Sequence, residues 1–117
     1  MDNNRSKGSR YENEAAAFLE NKGIKILDRN FRCRLGEIDI IARDSDCLCF
    51  VEVKYRKTMA NGYPSEAVGP AKQKKIYQVA EVYMKKNGIS LCSKCRFDVI
   101  SILGDKITYY KNAFGSF

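Results

Sequence analysis

Hydrophobic and polar positions follow two different periods along this chain. In YENEAAAFLENKG (residues 11–23), Ala15, Phe18 and Leu19 recur at three- and four-residue spacing, which predicts a helix stopped by Gly23. IKILDRNFRCR (24–34) reads as a strand, and EIDIIARDSDCLCFVEVKYRK (37–57) as two strands joined by a short turn. TMANGYPSEAVGP (58–70) has the Gly, Pro, Asn and Ser content of a loop. Pro70 suits the first turn of a second helix, AKQKKIYQVAEVYMKKNG (71–88), in which Ile76, Val79, Ala80 and Tyr83 form the apolar stripe and Gly88 is the stop. CRFDVISIL (95–103) and KITYYK (106–111) are two further strands around a Gly-Asp turn. The order α-β-β-β-α-β-β, without a repeat or linker, predicts one α/β domain over residues 1–117. Its expected architecture is a mixed β-sheet flanked by helices.

The 37–57 stretch breaks its own pattern. Successive strand side chains point to opposite faces. Cys47, Cys49, Val51 and Val53 therefore share a wholly apolar face, while Leu48, Phe50, Glu52 and Lys54 share one that turns from apolar to charged. On the preceding strand, Ile38, Ile40 and Ala42 are apolar, and Glu37, Asp39 and Ile41 run from charged to apolar. A tight turn centred between Ser45 and Asp46 sets Asp39 opposite Glu52, Glu37 opposite Lys54 and Ile41 opposite Phe50, and a slip of one residue destroys that coincidence. Two adjacent carboxylates repel, and burial sharpens the repulsion. A hard divalent cation with oxygen ligands, such as Mg²⁺, offsets it. A surface salt-bridge cluster of Glu37, Asp39, Glu52 and Lys54 is the plainer alternative.

Composition narrows the chemistry. The chain has no histidine, so neither a Ser-His-Asp nor a Cys-His mechanism is available. Net charge is +7, which suggests a polyanionic partner, most simply nucleic acid. No apolar run is long enough for a membrane span, and the polar start MDNNRSKGSRYENE has no apolar signal core; a cytoplasmic protein with no membrane partner is expected. The five cysteines then read as reduced thiols. Cys92 and Cys95 make one CxxC pair, and a zinc site there needs Cys33 or the Cys47/Cys49 pair to complete it.

Asp39 followed by Glu52-Val53-Lys54 resembles the metal-dependent nuclease superfamily with the PD-(D/E)xK pattern. Ile38 stands where the pattern has proline. A second (D/E)xK, Glu20-Asn21-Lys22, lies on the predicted helix, where i and i+2 do not share a face. The wider series YENEAAAFL, GEIDIIARD, FVEVKYRK, the basic helix and RFDVI resembles the small bacterial YraN-like family, UPF0102, over nearly the whole chain. That family is similar in fold to archaeal Holliday-junction resolvases, which implies a restriction-endonuclease-like core.

The resemblance implies hydrolysis of DNA phosphodiester bonds by a Mg²⁺- or Mn²⁺-dependent endonuclease, on branched or repair-intermediate DNA. Asp39 and Glu52 would bind the metal, with the Val53 backbone carbonyl as an extra ligand. Lys54 would position water or stabilise the transition-state oxygens. Glu12 matches the first-helix glutamate of such nucleases; it shares a helical face with Ala15 and Phe18/Leu19, and Glu14 is its less apt neighbour. Gln73 and Tyr77, four residues apart, resemble a QxxxY motif of the superfamily.

Arg43, Arg56, Lys57, Lys72, Lys74 and Lys75 are candidate DNA contacts. Lysines at a helix start oppose the helix dipole and point to another role, phosphate contact. Tyr63 in the loop is placed either to stack on a base or to pack. Arg96 and Asp98 alternate opposite Phe97 and Val99 and are candidates to pair with the active face, although the partner of their strand cannot be placed from sequence. Tyr109, Tyr110, Phe114 and Phe117 offer an interface or a core closure. A homodimer is expected only by analogy with resolvases, whose junction substrate is two-fold symmetric. The rival readings are a non-catalytic DNA-binding module of the same fold and a protein–protein adaptor.

Overall fold

The computed structural model describes residues 3–56 and 69–114, with the side chains of the first helix from Arg10 onward. The elements are α1 (Asn3–Asn21), β1 (Lys25–Cys33), β2 (Gly36–Asp44), β3 (Cys47–Arg56), α2 (Pro70–Lys86), β4 (Cys95–Leu103) and β5 (Lys106–Phe114). Their order is the one expected. α1 starts eight residues before the periodic segment at Tyr11, because its first two turns carry no apolar stripe for periodicity to detect. β5 runs three residues beyond Lys111. No helix among the described residues is long and apolar enough to cross a membrane.

The five strands form one sheet in the order β1-β2-β3-β4-β5. The β3–β4 pair is parallel and the others are antiparallel, so the sheet is mixed. α2 makes the crossover that a parallel pair requires. Both helices stop where glycine was expected. Gly23 and Gly88 take φ +82° and +66°, and the amides of Ile24 and Ile89 turn back to the carbonyls of Leu19 and Met84 at 3.0 and 2.8 Å.

Each face of the sheet carries its own core. On the α2 side Ile38, Ile41, Leu48, Phe50, Phe97 and Val99 pack with Ile76, Val79 and Tyr83. On the α1 side Ile40, Ala42, Cys49, Val51, Ile100 and Ile102 pack with Ala15 and Leu19. Full burial of each large side chain here is worth roughly 1.5–3 kcal/mol. Tyr109 packs against the α1-side core, and Tyr110 and Phe114 against the other; these aromatics close the core, while Phe117 lies outside the described residues.

The hairpin register is the expected one over five pairs. Ile41 lies opposite Phe50, and Asp44 opposite Cys47 across the Ser45–Asp46 turn. The expected alternation of β2 is broken, however. Ile38 belongs to the α2-side core, with Ile41, and Ile40 and Ala42 to the other. The break coincides with a gap in the β1–β2 ladder: Arg29 pairs with Ile40 and Phe31 with Ile38, but Asn30, at φ +54°, and Asp39 between them do not pair. The β2–β3 ladder also ends at Ile40–Val51, one position short of Asp39 and Glu52.

Candidate active site

Where the β2–β3 ladder ends, the Asp39 side chain takes over a backbone role. Its Oδ2 accepts the Val53 N–H at 2.8 Å. The carboxyl is pushed up to about 7, first by burial and then by the negative charge of Glu52 beside it. Glu52 is itself only 4% exposed. Its Oε1 meets the Lys72 ammonium at 3.2 Å, and its buried Oε2 has no hydrogen-bond partner. Lys54 is driven down to about 8 by burial first and then by the neighbouring Lys72 amine. The two carboxylates and two lysines thus share a half-enclosed cleft of about 620 Å³ between the sheet and the first turn of α2.

The local sequence explains the placement. Apolar residues on both faces of Cys47–Val51 bury β3, so Glu52 enters at the end of a buried strand and cannot reach bulk water. Pro70 opens α2, and Lys72 and Lys75, three residues apart, form the cleft wall. Gly36, at φ +150°, lies at the mouth, where an added Cβ would come within 3.5 Å of Val79 Cγ2. Sequence reading did not single out Gly36; its approach to the helix needs the fold.

Several expected partners sit elsewhere. Glu37 lines the cleft, but its carboxylate takes the Arg32 side chain at 2.9 Å rather than Lys54. Glu12 does not line the cleft. It lies on the α1 side within 3.9 Å of Arg29, and burial raises its carboxyl while Asn30 lowers it by hydrogen bonding and Asp39 adds to the rise. Its Oε1 is buried without a hydrogen bond. Glu14 pairs with Arg10 on the surface. Arg43 lies near the turn, opposite Leu48, four residues from Asp39, or roughly 13 Å along the strand, and is not part of the cleft. Arg56 ends β3, Lys74 faces solvent, and Lys57 and Tyr63 lie outside the described residues. Tyr77 packs its ring on Phe97 at 4.8 Å and Phe114 at 6.1 Å, in the core rather than at the cleft. Gln73, one turn before it, donates its backbone N–H to the Gly69 carbonyl at 2.9 Å.

Arg96 and Asp98 belong to the opposite side of the molecule. Asp98 is fully buried, receives both Arg96 Nε at 3.0 Å and the Tyr109 hydroxyl at 2.6 Å, and accepts the Asn112 amide at 2.7 Å. Arg96 continues to Asp44 at 2.9 Å. This network clasps β5 onto β4 where their ladder shifts register. Among the described residues no group of three or more Cys, Asp or Glu is gathered as a metal cluster, which leaves Cys92 and Cys95 without the further ligands zinc requires.

The whole chain has close relatives. It is 45% identical to a UPF0102 protein of Lachnoclostridium phytofermentans over 98% of both chains. It is 44% identical to one of Persephonella marina over 92% of both, and 49% identical to one of Chlorobium phaeobacteroides over 82% of this chain and 75% of that one. Residues 11–102, which contain every cleft residue named above, match the family described as "Uncharacterised protein family UPF0102". The chain is a member of the UPF0102 family.

Proposed function

We propose that this protein is a metal-dependent endonuclease that hydrolyses phosphodiester bonds of DNA in the Asp39–Glu52–Lys54 cleft. The observation that carries the reading is the buried, mutually repelling carboxylate pair with one orphaned oxygen, Glu52 Oε2. A buried carboxylate without full pairing is costly, and a fold keeps one where something is bound.

The donors fit a hard divalent cation. Mg²⁺ takes oxygen ligands, commonly one or two carboxylates, and keeps several waters. Asp39 and Glu52 would hold it, and the Val53 carbonyl is a third oxygen donor, because N–H and C=O of one strand residue leave by the same edge. Glu12 sits beside Arg29 and Asn30, where the charge of Asp39 adds to the rise of its carboxyl, and it is not among the residues lining the cleft. The bound cation would lower the pKa of water and neutralise charge on the phosphate.

The chain's own residues supply the rest. The Val53 amide fixes Asp39 in place. Lys54, half-buried and poised near 8, donates to the phosphoryl oxygens and orients the attacking water. Lys72 and Lys75 line the approach and attract the DNA backbone.

The test is cleavage of labelled duplex, single-stranded, flap and four-way-junction DNA with Mg²⁺ or Mn²⁺. Metal-dependent cutting that is lost in Asp39→Asn and Lys54→Ala is expected. Binding without cutting in every metal would replace the nuclease by a DNA-binding module.

A further inference from the structure

We infer that Lys72 is an exchangeable countercharge: it neutralises Glu52 while the cleft holds no divalent cation and gives up that place when one binds. The inference rests on reading the cleft as a divalent-cation site. It concerns a residue that the sequence assigned only to the DNA backbone.

The Lys72–Glu52 pair is lopsided. The Glu52 side chain is 5% exposed and the Lys72 side chain 46%, so the carboxylate stays in the cleft while the ammonium can swing into water at little cost. One feature opposes the resting contact. Lys72 stands in the first turn of α2, where the helix dipole disfavours a cation and where no acidic residue compensates. Lys54 lies within hydrogen-bonding reach of the Lys72 ammonium, and of the two it is Lys54 whose charge this closeness disfavours.

One carboxylate oxygen, Oε1, is taken by Lys72, and the other, Oε2, is buried without a partner. A monovalent ammonium thus satisfies half of the Glu52 carboxylate. A divalent cation shared with Asp39 would satisfy both carboxylates and relieve their repulsion. Displacement leaves Lys72 on the same wall as Lys75, available to a phosphate.

The consequence is a sign that a simple supporting role does not give. Removing Lys72 removes a competitor, so the metal should bind tighter although a nearby side chain has been lost. Lys75 is the control, since it lines the same cleft and carries the same charge without pairing to Glu52 in the structure. Mn²⁺ titration calorimetry on the full chain, without DNA, would compare wild type with Lys72→Ala, Lys75→Ala and Asp39→Asn.

Mn²⁺ affinity is expected to rise roughly tenfold in Lys72→Ala and by less than about threefold in Lys75→Ala, because only the paired charge competes directly. Asp39→Asn should abolish the binding. Equal gains in the two lysine variants would reduce the effect to general electrostatics and overturn the exchange, as would weaker binding in Lys72→Ala. If Mn²⁺ binds wild type and Asp39→Asn alike, or binds no variant, the cation site itself fails and the exchange fails with it. Saturable binding in Lys72→Ala alone would be the strongest form of support.

Discussion

Replacing Asp39 by asparagine should make the metal-free protein more stable. The carboxyl has an ordinary value of 3.8 and is pushed up to about 7 in the fold. Its folded-state pKa is therefore the raised one. The stabilisation from holding that proton is fully present below about 3.8 and is lost as pH rises through about 7, since between those limits the folded state binds more protons than the unfolded chain. At 1.36 kcal/mol per pKa unit, a rise of about three units corresponds to a loss of roughly 4 kcal/mol by pH 8.

An amide at this position avoids the loss. It retains an oxygen to accept the Val53 N–H and presents N–H donors to the neighbouring Glu52 carboxylate. Allowing for relaxation around the buried pair, Asp39→Asn should be about 2–4 kcal/mol more stable than wild type at pH 8 and equal to it near pH 4. For a chain of this size the midpoint should rise on the order of 10 °C. Thermal and urea unfolding followed by circular dichroism from pH 4 to 9, in EDTA, measures this directly. A variant no more stable than wild type at pH 8, or a difference that does not change with pH, would refute the reasoning.

Other substitutions test other parts of the fold. Asp98→Ala strands Arg96 and the Asn112 amide in a buried network and should cost about 3–5 kcal/mol in urea unfolding. Phe50→Ala removes a ring packed on Phe97 at 5.4 Å and Tyr83 at 6.2 Å, with a loss of about 3–5 kcal/mol in the same assay. Arg32→Ala breaks an exposed pair with Glu37, and unfolding should move by less than about 1 kcal/mol. Lys75→Ala should reduce by about one the slope of log DNA affinity against log salt, read by fluorescence anisotropy, with the loss uniform across sequences.

Much of the site was legible because a hairpin is local. A two-residue turn and period-two alternation set the register of β2 on β3, which brings Asp39 and Glu52 to adjoining positions. What the sequence could not reveal depends on contacts between distant segments. The loss of Asn30 and Asp39 from the β1–β2 ladder sends Ile38 to the α2 face, and strict alternation cannot anticipate such a break. Lys72 read as a phosphate contact, and its pairing with Glu52 shows only once the crossover lays α2 over the end of β3. Glu12 was chosen by its helical face; it is buried beside Arg29 and within electrostatic reach of Asp39, though it does not line the cleft, a placement set by how α1 docks on the sheet. Arg96 and Asp98 carried no readable partner because Tyr109 and Asn112 come from another strand.

The strand order also bears on how fast the chain folds. Three of the four ladders join strands adjacent in sequence through short turns, and those hairpins can form on their own. The parallel ladder of β3 on β4, from Leu48–Cys95 to Arg56–Leu103, is the exception. Closing it brings together two strands separated by roughly 40 residues of chain, and that loop-closure entropy is lost before the contacts repay it. The β2–β3 hairpin therefore juxtaposes its two carboxylates early, while Lys72 reaches them only when the parallel seam closes. Changes in the early hairpins should act mainly on the folding rate, and loss of contacts made only once the seam has closed, Lys72 with Glu52 among them, mainly on the unfolding rate.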